Sequence, residues 1–165
     1  MTKLDLLEVW IKGRGNKPSK DFERGVSLLL NLCGYRVLHS GGDYEDASQK
    51  TRLTVYGRTL VGIDAIAFSH DNKEVLFCQC CSEWKDVKVS DILTTSTELK
   101  AHLAIVEDSP ELYAVVVSCA SKSIMHPSIF IPNEVKIVDI ADLTTLLDEV
   151  KKGIVPYDLA RKIFI

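Results

Sequence analysis

At 165 residues, with 46% hydrophobic and 26% charged side chains, the chain is long enough to bury a core and reads as one globular domain spanning 1–165. Its apolar runs, such as 28–30 and 114–117, are far too short to span a membrane, and Met1-Thr2-Lys3-Leu4-Asp5 lacks the order of a secretory signal. A net charge of −3 argues against a broad, sequence-independent nucleic-acid surface, although a local basic patch would suffice.

In chain order, Leu4, Leu7 and Ile11 predict a short helix over 4–11. Gly13-Arg14-Gly15-Asn16-Lys17-Pro18 breaks it. Arg14, Lys17 and Lys20 make a small basic loop that either meets phosphate or is simply solvated. Residues 19–33 carry the clearest helical stripe, Phe22, Val26, Leu29, Leu30 and Cys33, with Ser19 as the expected N-cap and Gly34 as the stop. Glu23 lies at the margin of that stripe.

A strand is expected over 35–39, a polar loop over 40–50, and a strand or ribbon over 53–60. Residues 61–68 and 74–81 predict a hairpin turning at His70-Asp71-Asn72-Lys73. The polar connection 82–88 contains Trp84, which either fills the core or stacks on a base. There follow a helix over 90–103 and a continuous apolar strand over 112–119 that implies burial on both faces. A strand over 135–140, a helix around Leu143, Leu146, Leu147 and Val150 stopped by Gly153, and a last helix over 157–164 complete the chain. A hairpin set between αβ units predicts an α/β fold, a mixed central sheet flanked by helices.

Five cysteines, Cys33, Cys78, Cys80, Cys81 and Cys119, form no disulfide framework by count or spacing. They read as reduced thiols of a cytoplasmic, intracellular protein. Zinc fits poorly, because strand alternation sends Cys78 and Cys80 to one face and Cys81 to the other. None of His39, His70, His102 and His126 makes a recognisable nucleophile–base pair with Cys81.

Two segments point to chemistry: Gly62-Ile63-Asp64 and Cys78-Gln79-Cys80-Cys81. Alone, Asp64 would be an ordinary strand-end acid and Gln79 a core amide needing a partner. Paired in a hairpin, they bring a carboxylate and an amide oxygen together, the hard donors that Mg²⁺ and Mn²⁺ prefer. Glu23 is a candidate second carboxylate from the helix.

These segments, with Asp21-Phe22-Glu23, Leu28-Leu29, Cys33-Gly34-Tyr35-Arg36-Val37 and Tyr113-Ala114-Val115-Val116-Val117, resemble the restriction-endonuclease-like, or PD-(D/E)xK, superfamily and its Mrr-like branch. The resemblance runs from about residue 18 to 153. It implies a Mg²⁺- or Mn²⁺-dependent endonuclease acting on DNA, with RNA as a lesser alternative, in restriction, defence or repair. It also implies Asp64, Gln79 and Glu23 as metal ligands. The family's lysine, two positions after Gln79, is replaced by Cys81, a thiol without a permanent charge. Three outcomes stay open: Lys85 or Lys88 supplies the missing amine; catalysis is lost and the module binds nucleic acid or a protein partner, including a second copy of itself; or metal and substrate suffice for slow cleavage.

Overall fold

Capping chemistry opens the chain. Thr2 Oγ1 accepts the Asp5 N–H while the Asp5 carboxylate accepts the Thr2 N–H, and this capping box starts α1 (Lys3–Ile11). Helix α2 (Pro18–Leu32) starts earlier than the Ser19 cap expected from sequence. Pro18 occupies its first turn, where a missing N–H costs nothing, and Lys17 is the N-cap residue.

The computed structural model describes residues 1–39, 54–55, 58–59, 62–103 and 108–165. The loop expected over 40–50 lies outside them. Strand β1 (Arg36–His39) follows α2; β2 (Thr54–Val55) and β3 (Arg58–Thr59) form the expected antiparallel ribbon. Strands β4 (Ala65–Phe68) and β5 (Glu74–Cys81) make the hairpin. Next come α3 (Val89–Leu103), β6 (Glu111–Ser118), β7 (Val135–Val138), α4 (Ile140–Lys151) and α5 (Tyr157–Phe164).

The main sheet has the order β1-β4-β5-β6-β7. Its β1, β4 and β5 pair antiparallel, and β5, β6 and β7 pair parallel. This is the mixed α/β sheet read from the sequence. Period-two alternation divides its side chains between two apolar layers. Ala65, Ala67, Leu76, Cys78, Val115 and Val117 join Phe22, Leu29 and Leu146 in the layer under α1, α2, α4 and α5. Ile66, Val75, Phe77, Cys81 and Val116 join Ile92 and Leu99 of α3 in the other. Burial on both faces is why β6 is continuously apolar.

Two expected strands are shorter in the structure. Strand β4 begins at Ala65 rather than 61, because Gly62 has φ +74°. Strand β7 ends at Val138, because Asp139 caps α4 through the Ala141 and Asp142 N–H groups. Trp84 is a core residue: it is buried, and its Nε1–H donates to the Ser121 carbonyl at 2.8 Å. Among the described residues no helix is long and apolar enough to cross a membrane.

Candidate active site

The site forms where β4 enters the sheet beneath α2. Asp64 N–H donates to the Cys78 carbonyl at 2.8 Å, and Ala65 also pairs with Cys78. Two residues thus stand against one, the arrangement of a β-bulge. The extra residue brings Asp64 to the α2 side of the sheet. There its Oδ2 accepts the Cys80 N–H at 2.7 Å.

Glu23, one turn into α2, faces the same region. Burial, and then the charge of Asp64, push its carboxyl up to about 8. Burial pushes Asp64 up to about 6, against the Cys80 N–H and the nearby Lys88 charge, which both favour its ionised form. Asp64 therefore ionises first, and its charge then opposes ionisation of Glu23. Cys80 sits among these groups as a neutral thiol, its pKa raised well above normal chiefly by burial.

Gln79 points elsewhere. Its Nε2 donates to the Gly62 and Lys88 carbonyls at 3.0 and 3.1 Å, and its Oε1 accepts the Lys88 N–H at 2.7 Å. The amide oxygen assigned to a metal from the sequence is thus committed to backbone. Gln79 instead clamps both backbone groups of Lys88. Gly62 permits this clamp: it holds a positive φ, and a Cβ there would stand 2.6 Å from Asp91 Cβ and 3.3 Å from Gln79 Nε2.

The two candidate lysines separate. Lys85 pairs with Glu83 at 3.0 Å and is largely exposed. Lys88 is the one whose charge acts on Asp64. Cys81, placed by the sequence motif at the family's lysine position, is buried in the α3-side apolar layer. Cys80, one residue earlier, is the thiol on the side of Asp64 and Glu23. Sequence alternation missed it because the bulge at Asp64 shifts the register; Gly62, a glycine inside an expected strand, is the signal that marks it. Cys80 and Lys88 line a cleft of about 410 Å³ with Ser19, Cys81, Ser82 and Lys85.

Among the described residues no group of three or more His, Cys, Asp or Glu side chains is arranged to hold a metal ion. Two half-buried, mutually repelling carboxylates are nonetheless a fit for Mg²⁺, which keeps several waters and takes one or two carboxylates plus phosphate oxygens. A divalent cation would also relieve the mutual repulsion that raises Glu23.

No protein-family model matches this sequence, and no curated protein matches it. Among solved structures, the chain is similar to the small subunit (R.BspD6I2) of the heterodimeric restriction endonuclease R.BspD6I. The TM-score is 0.56 and the identity 13%, over 90% of this chain and 78% of that one. At that identity the likeness is one of fold. Among the described residues, a mixed five-stranded sheet flanked by five helices makes this a restriction-endonuclease-like α/β fold.

Proposed function

We propose that this chain is a degenerate member of the PD-(D/E)xK group, close to its Mrr-like branch, that hydrolyses DNA phosphodiester bonds with Mg²⁺ or Mn²⁺. The observation that carries the reading is the pairing of Asp64 and Glu23, two half-buried carboxylates on one side of the sheet whose charges oppose each other, with the charge of Lys88 acting on Asp64. Buried like charges are costly, and such perturbed pairs concentrate at functional sites. The cation, when bound, supplies polarisation of the scissile phosphate and a lowered pKa for an attacking water. Asp64 and Glu23 are its holders. Lys88, positioned through the Gln79 clamp on its backbone, places an ammonium at the cleft to stabilise phosphate charge. Lys85, tied to Glu83, has no part in the reaction.

One observation favours a second reading, a binding module without catalysis. The neutral Cys80 thiol stands on the Asp64 side of the sheet and brings no charge there, and the motif's lysine position is held by Cys81. The partner is then nucleic acid, a second copy of the chain or a different subunit, the last in keeping with the heterodimeric assembly named for R.BspD6I.

Cleavage of supercoiled plasmid and of single-stranded DNA in Mg²⁺ or Mn²⁺ separates the two. The nuclease reading expects cutting that Lys88→Ala reduces at least about a hundredfold and Lys85→Ala leaves alone. No cutting by a folded, metal-binding parent would transfer the case to the binding module.

A further inference from the structure

The chain is acidic, yet its charge is unevenly spread. Residues 12–24 hold five of its 20 Lys and Arg residues, Lys12, Arg14, Lys17, Lys20 and Arg24, and only two of its 23 acids. Lys12 is held by Glu8 at 2.8 Å. Arg24 lies 4.0 Å from the Asp21 carboxylate, and Arg14, Lys17 and Lys20 lie in or beside the loop between α1 and α2.

Two cavities have lining residues close to this loop in the chain. One is the cleft lined by Cys80 and Lys88, which Ser19 also lines and where Ser19 Oγ lies 3.3 Å from Ser82 Oγ. The other is a second cavity of about 440 Å³, whose lining includes Trp10, Arg14, Asn16, Lys17, Asp21 and Arg24. The loop packs closely on the start of α2. Asp21 Oδ2 accepts the Lys17 N–H at 3.0 Å, and a Cβ on Gly15 would fall 2.3 Å from the same oxygen. Only glycine lets the loop sit this closely on α2. Arg14 and Lys17 are therefore exposed cations on a preorganised turn.

An indole in the lining, cations at the rim, and an Asn16 side chain able to meet a base edge form the chemistry of a nucleotide pocket. The span from Lys17 to Ser19 is at most about 7 Å, so the linings of the two cavities come close to each other along the chain. We infer that the Trp10 cavity receives one unpaired nucleotide of the DNA strand whose backbone runs through the Cys80–Lys88 cleft. Its base stacks on Trp10, and Arg14 and Lys17 hold the flanking phosphates. The preferred substrate is then single-stranded DNA or a duplex with an extruded base, since a paired base cannot enter a cavity beside the loop. This rests on the proposal that the cleft binds DNA.

The test is fluorescence anisotropy of labelled single-stranded DNA and of the matching duplex in a salt series, on an Asp64→Asn background that binds without cutting. Single-strand binding should exceed duplex binding. Trp10→Leu should weaken single-strand binding roughly five- to hundredfold, the loss of one stacked base, while Trp10→Phe retains most of it. Arg14→Ala, in an exposed loop where folding is not at risk, should reduce the dependence of log K on log salt by about one phosphate contact. Strong DNA binding left unchanged by both Trp10→Leu and Arg14→Ala would overturn the pocket and spare the cleft. No binding of either DNA by the parent would overturn both.

Discussion

Replacing Glu23 with Gln should stabilise this protein at neutral pH while destroying its metal site. In the folded chain the Glu23 carboxyl is pushed up to about 8, by burial first and by Asp64 second. Its ordinary value is 4.5. Between those values the folded chain holds a proton that the unfolded chain releases, so stability falls as pH rises through that window. At pH 7.5 the gap from 4.5 corresponds to about 4 kcal/mol at 1.36 kcal/mol per unit. Glu23 keeps partial contact with solvent, and screening there reduces the figure to about 2 kcal/mol. Gln keeps the shape and carries no charge, so Glu23→Gln should recover that amount at pH 7.5 and nothing near pH 4.5. For a chain of this size the melting temperature should rise by about 4–8 °C at pH 7.5. Thermal unfolding followed by circular dichroism, with chelator present, reads both values. An unchanged or lower melting temperature at pH 7.5 would refute the reasoning, because Glu23 would then be solvated or well paired rather than crowded against Asp64.

Other consequences are equally direct. Mn²⁺ affinity, read by calorimetry, should strengthen as pH rises from about 6 to about 8, up to tenfold per unit, because the cation must displace protons from Asp64 and Glu23; a flat profile would show other ligands at work. Gln79→Leu strands the Gly62 carbonyl and both backbone groups of Lys88, and should cost about 3 kcal/mol in urea unfolding. Gly62→Ala forces a Cβ against Asp91 at a positive φ and should cost more than about 2 kcal/mol by the same measurement. Cys80→Lys should restore cleavage to a Lys88→Ala variant, whereas Cys81→Lys buries an ammonium in the α3-side layer and should lose about 3–5 kcal/mol of stability.

The architecture was legible where periodicity and burial agree. Phe22, Val26, Leu29 and Leu30 form one buried stripe, and all lie in the layer they predict. The apolar run of β6 foretold burial on both faces, and Gly34 and Gly153, both at positive φ, mark helix ends. The site was legible in composition but not in register. Alternation along β5 correctly separates Cys80 from Gln79, yet the partner face of Asp64 depends on a bulge. A bulge is a tertiary choice, made here because Gly62 must clear Asp91 and because the Asp64 carboxylate takes the Cys80 N–H. Likewise nothing in the spacing distinguishes Lys85 from Lys88. The Gln79 clamp and the Glu83 ion pair do so only once the chain has folded.

The central claim is that Asp64 and Glu23 together hold one divalent cation beside Lys88. Titration of the protein with Mn²⁺, read by electron paramagnetic resonance of the free ion, tests it most directly. The account predicts one bound ion per chain, lost in Asp64→Ala and in Glu23→Gln but kept in Lys85→Ala. Binding that survives both carboxylate substitutions, or no binding by the folded parent at pH 8, would contradict it.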